Sequence, residues 1–200
     1  VGLISLGMIG MKTLELLRQK LESVDDAPEI EELQPAPVIR LPRTTEDAAA
    51  EQSVIELGKQ IIADDQLALL VVAGGQGTRL GYAGPKGTLP ITPITGKSLF
   101  QHHAEKILAA RRRYSAALPW FIMTSPDNDQ ATRDFFAEND FFGLGEQTVH
   151  FFMQGTLPIL SPDGQMLLKP DCTLLTGPDG HGGVINALKR SGMLAEMERM

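Results

Sequence analysis

The sequence predicts an α/β fold built on a mostly parallel sheet and preceded by a helical segment. Three observations carry this reading. Apolar strand-like runs recur at Leu67–Val72, Pro119–Thr124 and Thr148–Met153. Helix-patterned stretches separate them, and strand–helix–strand alternation is the signature of a sheet covered by helices. The first run opens straight into a glycine-rich turn, Gly74-Gly75-Gln76-Gly77, as a strand feeding a ligand loop does.

Taken in order, Val1–Gly10 is apolar and glycine-spaced. It misses the dinucleotide pattern because Ser5 stands where a glycine is needed. Lys12–Leu21 reads as helix, with Leu14, Leu17 and Leu21 on one face. Asp25–Pro42, with prolines at 28, 35, 37 and 42, reads as an extended connector. Thr44 or Thr45 caps a helix to about Ala63, with Val54, Ile55, Leu57 and Ile61 or Ile62 as its apolar face. The continuous run Leu67–Val72 then predicts a fully buried strand.

After the glycine loop, Ser98 and Gln101 form a capping box for a helix to about Tyr114, burying Phe100, Ala104, Ile107 and Leu108. His102 and His103 have no partner at metal-ligand spacing and read as structural or solvated. Arg111–Arg113 reads as a solvated face whose charge suits a helix C-terminus. Strand Pro119–Thr124 leads through the turn Ser125–Asp129 to a helix ending near Glu138. The third strand ends at Gln154-Gly155. Pro158–Leu168 predicts a hairpin about Pro162-Asp163-Gly164. A last helix, about Val184–Arg190, stops near Gly192. The expected division is a helical segment and connector over 1–65 and the first part of a catalytic domain over 66–200. The chain lacks an initial Met and its last residues read as helix, so the expectation is a fragment of a longer protein.

Composition narrows the function. Hydrophobic residues make up 42% of the 200 residues, enough for a core. A net charge of −7 argues against a general nucleic-acid binder and favours a local basic site for a small anion. The single cysteine, Cys172, makes no internal disulfide, which points to a reducing, cytoplasmic setting. It has no evident activating base. No apolar run reaches membrane-spanning length, and the N-terminus lacks a signal-peptide pattern.

The chemistry concentrates in Leu67–Pro90. Glycines 74, 75, 77 and 81 allow backbone N–H groups to line an anion, and Arg79 and Lys86 supply counter-charge. The spacing is neither a Walker loop, because Lys86 lies well past the turn and follows Pro85, nor the dinucleotide fingerprint, because Gly75–Leu80 lacks its last glycine. Backbone cradle and two cations suit a triphosphate whose charge must be neutralised during transfer.

The run Leu70-Val71-Val72-Ala73-Gly74-Gly75-Gln76-Gly77-Thr78-Arg79-Leu80-Gly81 with Gly84-Pro85-Lys86 resembles the signature of sugar-nucleotide pyrophosphorylases. Phe151-Phe152-Met153-Gln154-Gly155-Thr156-Leu157-Pro158 and Pro178-Asp179-Gly180-His181-Gly182-Gly183 resemble the eukaryotic-type UTP-dependent group, and within it the UDP-N-acetylglucosamine pyrophosphorylases. The resemblance implies a Rossmann-like, GT-A-like nucleotidyltransferase sheet and a UTP:sugar-1-phosphate uridylyltransferase using Mg²⁺, with UTP and a sugar 1-phosphate as partners. It implies that Val72, Ala73, Gly74 and Gly75 cradle the uridine, and that Gly77 and Thr78 belong to the same substrate loop. Arg79 and Lys86 would be the catalytic cations on the phosphates, Lys86 near the α-phosphorus. Gln154 and Gly180 would read the uracil edge. His181 stands where the N-acetylglucosamine enzymes carry Asn and the glucose enzymes His, so the sugar stays open. The family's Mg²⁺-holding aspartate is expected beyond Met200. The alternative is a non-catalytic uridine-nucleotide-binding module or an inactive fragment of such an enzyme.

Overall fold

The computed structural model describes residues 15–16, 19, 34–38, 41 and 44–199. The readings of Val1–Gly10 and of most of Lys12–Leu21 and Asp25–Pro42 lie outside these. Glu15, Leu16 and Gln19 are helical, and 34–38 and Leu41 are exposed and irregular.

The chain divides into two compact bodies, Pro42–Leu157 with Gly177–Met200, and Val1–Leu41 with Pro158–Thr176. In the larger body α1 runs Thr45–Ala63. Its N-cap Thr44 and Asp47 bond reciprocally, so the two residues close a capping box. Strand β1 (Leu69–Val72) follows, then the glycine loop, α2 (Leu99–Tyr114), β2 (Trp120–Thr124), α3 (Asp129–Glu138) and β3 (Val149–Met153). The strands lie in the order β1-β2-β3, both pairs parallel, with Leu70 opposite Phe121 and Ile122 opposite Phe151. Strands β4 (Thr156–Pro158) and β5 (Thr176–Pro178) pair with each other as a second, two-stranded sheet. Helices α4 (Val184–Ser191) and α5 (Met193–Met197) close the chain. Gly192 ends α4 in a left-handed conformation, φ 78°.

Alternation along β2 assigns the sheet's two faces. Trp120 and Ile122 join Phe100, Ala104 and Ile107 of α2, Phe136 of α3 and Val149 of β3, with Ile62 of α1 packed against the group. Rings meet edge to face here, Phe136 lying 5.0 Å from Phe100, 5.5 Å from Trp120 and 5.2 Å from Phe151. Phe121 and Met123 face the other way, onto Phe152, Ala187 and Leu188, with α5 covering them. The result is a sheet between α1–α3 on one side and α4–α5 on the other.

In the smaller body, Ser161 N–H donates to Gln165 and Gly164 N–H to Ser161, which makes the tight turn predicted at Pro162-Asp163-Gly164. Leu167 bonds Ile159, and Leu175 bonds back to Leu167, so a third run joins the hairpin.

Three expectations need correction. Strand β1 is not fully buried: among the described strands it pairs with β2 alone, and Leu70 and Val72 remain 40% and 38% exposed. The Ser98 cap is only half a box. Ser98 accepts from Gln101 N–H, but the Gln101 side chain turns to Glu105 instead. Arg111 is not a solvated charge. Its guanidinium bonds the carbonyls of Leu144 and Leu118 and the Thr148 hydroxyl, tying the end of α2 to the entries of β2 and β3. Burial lowers its pKa.

Candidate functional site at the carboxyl ends of the strands

Parallel strands leave their ligand loops at their carboxyl ends. Here β1 delivers the glycine loop and β3 delivers Gln154, whose N–H extends the ladder onto Thr124. A cavity of about 320 Å³ opens between them. Its wall includes Val72, Ala73, Gly74, Gly75, Lys86, Gln154, Gly180 and His181. Four separate stretches of sequence therefore converge on one space. Gly77, Thr78 and Arg79 do not line it. Gly77 is buried against Tyr82, and Thr78 and Arg79 lie exposed in a short 3₁₀ turn.

The glycine loop folds back on itself. Gly77 N–H bonds Gly84 C=O and Lys86 N–H bonds Gly75 C=O, so Gln76 and Pro85 face each other as in a short antiparallel ladder. The Tyr82 hydroxyl meets Thr88 Oγ1 at 2.8 Å, and Thr88 bonds Pro85 C=O. Gly87 sits flat on the Phe100 ring, where an added Cβ would come within 2.1 Å of it. This fixes Lys86. Its Nζ lies 3.8 Å from where a Gly75 Cβ would be, so the ammonium hangs over the loop's opening residues.

The loop's donors and acceptors are segregated. Ala73 N–H bonds Met123 C=O, which closes the sheet. The next three N–H groups, of Gly74, Gly75 and Gln76, have no acceptor among the described residues. The carbonyls of Ala73 and Gly75 are both occupied. Three consecutive free donors, the middle one close to an ammonium, are the donor set that an anion cradle requires.

On the opposite wall Gly180 has φ 78° and ψ 179°, a backbone open to glycine alone. Asp179 is a wedge. Its carboxylate fills the space between Gly155 and Gly183, where added Cβ atoms would come within 2.1 and 2.2 Å of its oxygens. Its N–H also bonds Gly155 C=O. Gln154 lies against Gly74, with Oε1 2.6 Å from a would-be Cβ. Any side chain at 74 would displace it.

Sequence reasoning missed two residues here. His103, read as structural or solvated, reaches the cavity wall from α2. Burial, helped by the charges of His102 and Lys106, lowers its pKa below the ordinary 6.5. Asn128, taken as part of a turn, is 1% exposed and bonds the glycine loop. A helical i, i+3 pattern that puts His103 beside buried Phe100 was the available signal for the first; no local pattern marks the second.

No carboxylate lines the cavity, and no three His, Cys, Asp or Glu side chains gather as a metal site among the described residues. The described residues by themselves do not fit Mg²⁺. Comparison with known proteins settles the lineage. The profile of the family described as UTP–glucose-1-phosphate uridylyltransferase matches residues 15–200. The chain belongs to that family. It is 40% identical over 165 residues to UDP-N-acetylglucosamine diphosphorylase 1 of Arabidopsis thaliana, covering 78% of this chain and 32% of the relative. It is 44% identical over 151 residues to a probable UDP-N-acetylglucosamine pyrophosphorylase of Schizosaccharomyces pombe, covering 71% and 32%. The crystal structure of the Trypanosoma brucei UDP-N-acetylglucosamine pyrophosphorylase with an inhibitor aligns at a TM-score of 0.72 and 30% identity, over 88% of this chain and 36% of that one. The family's nucleotidyltransferase fold is thus the fold seen here, and the chain spans about a third of the curated relatives it matches.

Proposed function

We propose that the chain carries the UTP-binding part of a UTP:sugar-1-phosphate uridylyltransferase, with 66–200 as the first part of its catalytic domain. The observation that carries this is the single cavity joining Val72–Gly75, Lys86, Gln154 and Gly180–His181. The reaction is attack of a sugar-1-phosphate oxygen on the UTP α-phosphorus with pyrophosphate leaving. It needs no protein nucleophile, only positioning and neutralisation of charge. The free N–H groups of Gly74–Gln76 would hold phosphate oxygens, and Lys86 would neutralise the charge that builds as the phosphate rearranges. Gln154, with a donor and an acceptor on one amide, would read the uracil edge. Arg79, exposed and away from the cavity wall, would act only on phosphates reaching beyond it. Mg²⁺ would add charge neutralisation through ligands other than the described residues, and a cytoplasmic setting belongs to the same reading.

The favoured sugar is N-acetylglucosamine, because relatives at 36–44% identity carry that name. His181 on the cavity wall favours glucose as the second reading. The test is pyrophosphate release by the complete gene product from UTP with each sugar 1-phosphate. Release with N-acetylglucosamine 1-phosphate above glucose 1-phosphate is expected. UTP binding with no release from either would leave only the non-catalytic reading.

A further inference from the structure

The glycine loop's carbonyls are held away from the cavity: Lys86 N–H takes Gly75 C=O at 3.0 Å, and one side chain takes Ala73 C=O. Asn128, 1% exposed at the turn before α3, donates from Nδ2 to Ala73 C=O at 2.9 Å and to Gly75 C=O at 3.5 Å. Its Oδ1 accepts from Ser125 N–H at 2.8 Å, so the amide itself cannot rotate. A second strut runs beside it, from Gln76 Nε2 to Asp127 C=O. Two residues of one turn, some fifty positions along the chain, therefore grip both ends of the Ala73–Gln76 segment.

In a tight loop the peptide planes have two broad choices, N–H toward the cavity or C=O toward it. An anion tolerates only the first. We propose that Asn128 is a positioning residue for the anion cradle: by drawing the Ala73 carbonyl toward α3 it turns the Gly74 N–H of the same peptide plane toward a bound phosphate, and its longer contact adds to the Lys86 N–H bond that sets the Gly75 carbonyl and hence the Gln76 N–H. The ligand class is a polyphosphate, and the inference deepens the uridylyltransferase reading without depending on the base or the sugar. Asn128 touches no reacting atom; it acts through the backbone.

The side chain separates its own two jobs. Asn128→Asp keeps an oxygen to accept from Ser125 but sets a second oxygen against the Ala73 carbonyl. Asn128→Leu removes all three bonds without adding charge. The probe is inorganic tripolyphosphate, titrated calorimetrically into the complete gene product, with thermal unfolding as the check on folding. Tripolyphosphate affinity should fall about tenfold in either folded variant, the cost of one misplaced buried carbonyl. With UTP as substrate, the KM for UTP should rise by a similar factor while the KM for the sugar 1-phosphate stays within about twofold. A purely structural role would lower kcat through lost folded protein and leave both KM values alone. Wild-type tripolyphosphate affinity in a folded variant, or no tripolyphosphate binding by the wild type, overturns the proposal. Tripolyphosphate binding that depends on Asn128, with no turnover of UTP, supports the brace and sinks the uridylyltransferase reading alone.

Discussion

The cavity's two walls are built differently. The glycine-loop wall rests on the core. Gly87 lies on Phe100, Phe100 on Phe136, and the loop is closed by Tyr82–Thr88 and gripped by Asn128 and Gln76. The 178–181 wall has no comparable foundation. Gly180 and His181 are exposed, and the segment is tied in by the β4–β5 pairing that ends at Pro178, by Asp179 N–H on Gly155 C=O and by the Asp179 carboxylate wedged between two glycines. Its remaining backbone bonds, from Gly183 and Val184, are local to the next turn. Charge on a reacting phosphate is best met by donors already in place, because reorganising them at the moment of reaction raises the barrier. A base and a sugar need discrimination, which a thinner wall supplies by shape. On the uridylyltransferase reading proposed above, phosphate chemistry and substrate selection would fall to walls anchored to the core to unequal degrees.

Four outcomes would break or sharpen that contrast. The largest effect should come from undermining the anchored wall. Phe100→Ala leaves a cavity beneath Gly87 and should cost about 3–5 kcal/mol in denaturant-induced unfolding. A cost near that of a surface change would show that the loop does not rest on the core. Next, Lys86→Ala should lower kcat about 10²- to 10³-fold while uridine affinity changes little, measured by steady-state pyrophosphate release and by uridine binding. Near-normal kcat would remove Lys86 from the chemistry. On the opposite wall, Gly183→Ala drives a methyl into Asp179 and should raise the UTP KM about tenfold, with a melting temperature close to wild type. A large fall in melting temperature instead would mean that this wall too is part of the scaffold.

The smallest effect is a pH dependence. Burial lowers the pKa values of His103, on the cavity wall, and His150, stacked on Phe121. The unfolded chain takes up protons at these sites before the folded one does. Their contribution is therefore complete above about pH 6.5 and is lost as pH falls below it. Thermal midpoints measured from pH 7.5 to 5.5 should decline, and less steeply in His103→Gln. An unchanged slope in that variant would mean His103 is not sheltered.

What the sequence disclosed, it disclosed through local pattern. Strand runs, the caps at Thr44 and Ser98, the Gly192 stop and the phosphate loop all have neighbours that reveal them. Asn128 and Arg111 do not, and His103 has only its i, i+3 spacing from Phe100. Asn128 bonds backbone carbonyls some fifty residues away, Arg111 reaches 33 and 37 residues to Leu144 and Thr148, and no short spacing encodes either contact. Each also satisfied a simpler local reading, as turn former or helix-end cation, so nothing in the pattern was left to explain. The exposure of β1 was illegible for another reason. An apolar run announces that it belongs in a sheet, not how many neighbours that sheet gives it.

Phe100 closes the floor of the cavity and the centre of the aromatic cluster at once. A change that enlarged the floor to admit a bulkier nucleotide would be a change to the fold's own keystone. Variants selected there for new preference would first be filtered for survival. The 178–181 segment carries no such double duty. On the proposed reading, new substrate ranges should therefore arise by drift in that wall, while the glycine loop is inherited almost unaltered.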